Sequence, residues 1–235
     1  RAKRKEGFIS LISFLSVAGV TVGVMALVVV IAVMSGAETD FRKRILGLEP
    51  HILVMNYSGK FDNYADILSN INTKDQINGA SPILFAQAMI RTRHSFSGVM
   101  VRGIDPESGF SLVKGFGSKQ LDELLTADTT DGELPGIILG RELANSVGVI
   151  KGDKIILMSP NGFISPMGHI PSMKRFIVKD TFDSGMYEYD SALAYVHLKE
   201  AQKLSGAKNK ISAIGIWLDD VFNVKMIKDS ISDIL

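Results

Sequence analysis

Residues 7–37 contain no Asp, Glu, Lys, Arg or His, and residues 8–34 read FISLISFLSVAGVTVGVMALVVVIAVM, an almost unbroken apolar run of 27. A bilayer-spanning helix needs roughly 20 such residues. A secretory signal has an apolar region of about 7–15 residues, so this run is about twice too long for one. Ser35, Gly36 and Ala37 nevertheless imitate a cleavage site, and the buried core helix of a soluble protein is the other alternative. The length points to a permanent membrane helix. At about 1.5 Å per residue it would extend about 40 Å, so it should tilt or project beyond the hydrocarbon. Gly47 and Pro50 are breakers and predict an end near Leu46.

The flanks set the orientation. Arg1, Lys3, Arg4 and Lys5 face only Glu6 on the near side, whereas Arg42, Lys43 and Arg44 are tempered by Glu38 and Asp40 on the far side. The positive-inside rule places residues 1–7 in the cytoplasm and the large remainder outside it. That remainder is ordinary globular material, long enough to bury a sizeable core. The whole chain is 22% charged with a net charge of +1, which gives no electrostatic case for nucleic acid. There is no cysteine, so no disulfide holds the domain. The chain begins at Arg1 without Met, as expected of a piece of a larger polytopic protein.

Past the helix, apolar runs and apolar alternation predict strands at 51–55, 81–90, 99–104, 136–139, 154–158, 176–178, 192–197 and 211–218. Helical spacing marks 61–71, 118–125, 142–146, 199–204 and 221–235, the last with Val224, Ile227, Ile231 and Ile234 on one stripe. The class is α+β: an N-terminal transmembrane helix (8–46), a split βαβ/βαβ sheet from 47–90 and 191–235, and a strand-rich insertion at 91–190.

The sequence carries no case for catalysis. Residues 115–119 have the flavour of a phosphate-binding loop without its spacing. His51, His94, His169 and His197 are scattered, without metal-ligand spacing. One segment stands apart. Residues 159–176, SPNGFISPMGHIPSMKRF, carry three prolines and two glycines, which predict a loop over 159–173 that joins no sheet. Yet the segment carries Phe163, Ile164, Met167, Ile170 and Met173. Such a loop either packs back on its own domain or is held out to a partner, for which prolines lower the ordering cost and methionines adapt. In the membrane run, Ser10, Ser13, Ser16, Gly19 and Gly23 recur at spacings of three or four. Ser16, Gly19 and Gly23 are candidate helix-packing positions, unless they are small residues merely tolerated in an anchor.

Several stretches together resemble a family. Val22-Gly23-Val24-Met25-Ala26-Leu27, Val33-Met34-Ser35-Gly36 and Arg44-Ile45-Leu46-Gly47 resemble the first membrane helix of lipoprotein-releasing (Lol) ABC transporter permeases. Gly103-Ile104-Asp105-Pro106 agrees in order, as does Ile138-Leu139-Gly140-Arg141-Glu142-Leu143-Ala144 with Gly148-Val149 and Gly152-Asp153. The stretch from Ile138 to Asp153 is shared more widely with macrolide-exporter-type periplasmic cores. Ser165-Pro166-Met167-Gly168-His169-Ile170-Pro171-Ser172 is more specific and looks like the hook of the chaperone-recruiting subunit.

The resemblance implies a permease with a periplasmic domain between its first and second membrane helices, in the bacterial inner membrane. It implies a second permease subunit, a cytoplasmic ATPase subunit holding the ATP and Mg that this chain lacks, and a periplasmic lipoprotein chaperone. The substrate would be a triacylated lipoprotein, extracted from membrane lipid by lever action. Pro166, Met167, Gly168, His169, Ile170 and Pro171 would contact the chaperone, with His169 standing where Arg is more familiar. Val30, Val33 and Met34 would line the acyl-chain cavity. A macrolide-exporter-type efflux permease and a single-pass anchored binding or sensor module are the alternatives.

Overall fold

The computed structural model describes residues 2–46, 49–56, 61, 64–72, 76–93, 95–108, 121, 133–165, 168–220, 224, 227–228 and 231. Two compact units divide the chain, residues 1–45 and 46–235. The first is one helix, α1 (Ala2–Leu46), ending where the breakers predict. Its 45 residues correspond to about 68 Å at about 1.5 Å per residue, far beyond a hydrocarbon core. Within it Leu11–Arg42 is long and apolar enough to cross a membrane. Thr21 and Thr39 donate their hydroxyls to the carbonyls of Val17 and Ser35, each at 2.8 Å, so neither needs water.

Among the described residues, the second unit holds eight strands: β1 (Ile52–Met55), β2 (Ile77–Arg91), β3 (Phe96–Ile104), β4 (Gly136–Gly140), β5 (Lys154–Ser165), β6 (Gly168–Phe182), β7 (Leu193–His197) and β8 (Ala213–Leu218). Its fully described α-helices are α2 (Tyr64–Asn72), α3 (Arg141–Val147), α4 (Tyr187–Asp190) and α5 (Leu198–Ser205). The strands form one mixed sheet in the order β1-β8-β2-β3-β7-β4-β6-β5. β3–β7 and β4–β6 are parallel and the other pairs antiparallel. The far end of β2 also pairs with β5, through Met89↔Met158, Ile90↔Leu157 and Arg91↔Ile156. That contact closes β2, β3, β7, β4, β6 and β5 into a six-stranded barrel. The first half of β2 instead carries β8 and then β1 as an open extension.

Alternation along the strands explains the closure. On β4, Ile137 and Leu139 face one apolar cluster while Ile138 faces another, and all three are fully buried. On β7, Ala194 and Val196 join the first cluster and Leu193 and Tyr195 the second. The first cluster fills the barrel with Ile90, Val99, Val101, Ile155, Leu157, Phe176 and Val178. Both faces of β4 and β7 are therefore covered, which is why they read as continuous apolar runs. α5 packs onto the barrel through Leu198, Ala201 and Leu204. A Cβ at Gly103 on β3 would lie 2.4 Å from the Ala201 Cβ, so only glycine admits the helix this closely.

The α+β class with an apolar N-terminal helix stands. Val224, Ile227 and Ile231 lie on the core side as the stripe predicts, and Ile234 lies outside the described residues. Of the helix expected at 118–125, Leu121 is helical and buried; its other positions, and residues 115–119, lie outside the described residues.

Candidate docking arm

The segment expected to be a loop that joins no sheet is a β-ribbon. β5 and β6 pair from Lys154↔Ile177 out to Ser165↔Gly168, with Phe163↔Ile170 and Ile164↔His169 near the far end. The prolines do not prevent this because of where they fall. The register slips between Ser159↔Ser172 and Phe163↔Ile170, so β5 spends two more residues than β6 over this stretch. Pro160 lies inside that bulge and Pro171 opposite it, where the ladder is already interrupted and a missing N–H removes no rung. In the bulge, Asn161 N donates to the Ser159 hydroxyl at 3.3 Å.

Barrel neighbours reach β5 only as far as Met158 and β6 only from Ile177 onward. Among the described pairings, the ribbon beyond Ser159 and Ser172 has no third strand. Its outer six residues on β5 correspond to about 20 Å at about 3.4 Å per residue. Gly168, His169, Ile170 and Pro171 all lie on β6 in this arm. Pro166 and Met167 fall between the two strands and outside the described residues. Pro160, Asn161 and Pro171 are exposed.

Where the arm leaves the barrel, its two faces differ. Outward, Met89, Met158 and Met173 stand in register across β2, β5 and β6; Met89 and Met173 are exposed. A shallow groove of about 350 Å³ opens here, lined by Gln87, Met89, Met158, Pro160 and Pro171 among others. Inward, the paired positions run Ile155↔Phe176, Leu157↔Lys174 and Ser159↔Ser172. The inward row thus turns from apolar to charged to polar as the ribbon exits, and α5 lies over the turn. Its Glu200, 0% exposed, pairs with Lys174 of β6 and accepts from Lys203 Nζ at 3.0 Å. Burial alone would raise the pKa of this carboxyl; hydrogen bonds from Lys174 and Lys203 outweigh it and hold the group below its ordinary range.

A second, largely enclosed charge sits where the chain enters the domain. Arg102 on β3 donates to Glu49 Oε1 at 2.5 Å and lies 5.4 Å from the centre of the Phe85 ring. Burial pushes the Tyr195 hydroxyl beside it up to about 12, against the opposing pull of the guanidinium. Two histidines serve local structure. His51 Nδ1 accepts from Leu218 N at 3.0 Å, and His197 Nδ1 accepts from Lys199 N at 3.1 Å as the N-cap of α5.

None of the inward charges was singled out by sequence. Glu200 lies in LKEAQKLS, which reads in sequence only as a short helix, and its burial follows from the closed barrel beneath it. The α1 positions lie in the other compact unit. Val30, Val33 and Met34 are exposed along the helix, and Gly19 and Gly23 have nothing within 4 Å of where a Cβ would stand.

An apolar helix of spanning length and a closed β-domain whose β5–β6 ribbon runs past its barrel neighbours define the class. The chain belongs to the MacB-like periplasmic core domain family, whose model matches residues 13–234. It is 31% identical over 226 residues to the lipoprotein-releasing system transmembrane protein LolC of Neisseria meningitidis serogroup B, covering 95% of this chain and 53% of that one. It is 34% identical over 208 residues to LolC of Xylella fastidiosa, covering 87% and 48%. The periplasmic region of MacB from Actinobacillus actinomycetemcomitans aligns with a TM-score of 0.47 at 10% identity, covering 72% of this chain and 71% of that one. The resemblance to lipoprotein-releasing permeases is thereby borne out. The chain spans about half the length of the curated relatives it matches.

Proposed function

We propose that this chain is the first membrane helix and periplasmic domain of a permease subunit in a lipoprotein-releasing ABC transporter. The observation that carries this reading is the arm, a two-stranded ribbon extending past its barrel neighbours with the SPMGHIPS segment at its end. α1 anchors the chain in the inner membrane with its basic N-terminus in the cytoplasm, and the barrel stands in the periplasm. The arm, from Pro166 through Pro171, takes hold of a soluble periplasmic lipoprotein chaperone.

The remaining parts follow the same reading. A cytoplasmic ATPase subunit binds ATP and Mg and supplies the energy, while this chain performs no chemistry of its own. A second permease subunit packs against α1 through Ser16, Gly19 and Gly23. Val30, Val33 and Met34 line the space that takes the acyl chains of a triacylated lipoprotein. Closing of the ATPase pair moves the helix and squeezes the lipoprotein out of the lipid, and the chaperone on the arm receives it.

The family is that of the MacB-like periplasmic core domain, and an efflux permease of the macrolide-exporter type is the second reading. The arm favours lipoprotein transfer, because an exporter that passes its cargo to a duct has no need of a handle for a soluble carrier. The test is chaperone pull-down by the full-length permease with Pro166→Glu and Met167→Glu together. Loss of capture with the domain still folded is expected; undiminished capture refutes the assignment of the arm.

A further inference from the structure

The arm beyond Ser159 and Ser172 pairs only with itself among the described strands. An isolated two-stranded ribbon is marginally stable and does not define its own direction. Its direction must be fixed at the root. A swing of about 15° there would displace the tip by about 5 Å, since about six residues at about 3.4 Å each separate them.

Both strands of the root meet α5. On β6, Lys174 occupies an inward position between Phe176 and Ser172, where an ammonium has little water, and it is paired with Glu200. On β5, the carbonyl of Asn161 in the bulge lies 3.7 Å from where a Cβ on Gly206 would stand, at the left-handed C-cap that ends α5. Ser159, at the start of the bulge, is fully buried. The helix itself is fixed to the barrel by Ala201 against Gly103 and by Leu204 in the core. Lys203 holds the second carboxylate oxygen of Glu200 from the solvent side.

We propose that Glu200 is a positioning residue for the docking arm: through Lys174 it fastens the root of the ribbon to α5 and so fixes where the tip is presented. This rests on the reading of the tip as a handle for a soluble lipoprotein chaperone. Glu200 does not touch the chaperone. It acts by removing the angular freedom of the ribbon before docking, which lowers the ordering cost of the encounter.

The test uses the full-length permease in detergent. This chain has no cysteine; with any cysteine elsewhere in the full-length permease replaced by Ser, Ile150→Cys and Pro171→Cys place two nitroxide labels at exposed positions, one on the barrel and one on the arm. Pulsed-EPR distances are measured in this background, and chaperone affinity in the unlabelled protein. Glu200→Gln and Lys174→Met are each expected to broaden the distance distribution and to weaken capture ten-fold or more, with the thermal transition of the barrel retained. Lys174→Met leaves the Glu200–Lys203 pair in place, so it decides the matter if Glu200→Gln does not fold. A distribution that stays narrow in the folded variants overturns the proposal, and so does broadening without loss of capture. Failure of the docking reading looks different: the Pro166→Glu and Met167→Glu protein then captures chaperone normally while its distances stay narrow.

Discussion

Arg102 and Glu200 are charges taken out of water by opposite arrangements. Arg102 is 12% exposed at its side chain and depends on one carboxylate, Glu49, itself 26% exposed. Burial alone would lower its pKa; Tyr195 and the hydrogen bond to Glu49 outweigh that and raise it. Removing one partner of such a pair leaves a buried charge, whereas replacing both by apolar groups is often neutral. Glu49→Ala should therefore destabilise the domain by about 2 kcal/mol, less than a fully enclosed pair because solvent reaches Glu49. The double variant Arg102→Met with Glu49→Leu should recover most of the loss in chemical denaturation. Glu200 predicts a pH dependence. Its pKa is lowered in the fold from the ordinary 4.5, so its contribution is complete above that pH and disappears as pH falls through the lowered folded value. Urea midpoints followed downward from pH 6 should drop more steeply for the wild type than for Glu200→Gln below about pH 4.5.

At the level of elements, the arm depends on how closely α5 approaches the barrel. Gly103 leaves room for Ala201. Gly103→Val should lift α5, costing about 2 kcal/mol as an overpacked core does, and should loosen the ribbon root with it. Hydrogen exchange at residues 172–176 reads both effects, and protection equal to wild type there would contradict the packing account. The local elements were largely legible in sequence. The apolar runs of β4 and β7, the alternation of β8 and the breakers after α1 each reflect a residue's own surroundings. Three features were not legible. Prolines 160 and 171 read as strand breakers, because their position in a bulge depends on register rather than composition. The β2–β5 contact joins strands far apart in sequence and leaves no local period. The burial of Glu200 follows from that closure and was hidden with it. The candidate tip was visible through its unusual content of methionine, proline and apolar residues; its root was not.

For the whole molecule, the account requires a barrel on the far side of the membrane from the basic N-terminus. Ile150 is exposed at 73% on a domain with no cysteine, so Ile150→Cys provides a single reporter on this chain. A membrane-impermeant maleimide should label it in intact spheroplasts. Labelling only after lysis would place the barrel in the cytoplasm and contradict the orientation.

The most direct measurement is site-specific photo-crosslinking from the arm in cells making the full-length permease, with a benzophenone side chain in place of Pro171. The account predicts a light-dependent adduct with a soluble periplasmic lipoprotein carrier, lost when Pro166 and Met167 are both changed to Glu. Adducts confined to the permease itself, or to an outer-membrane duct and its adaptor, would contradict it.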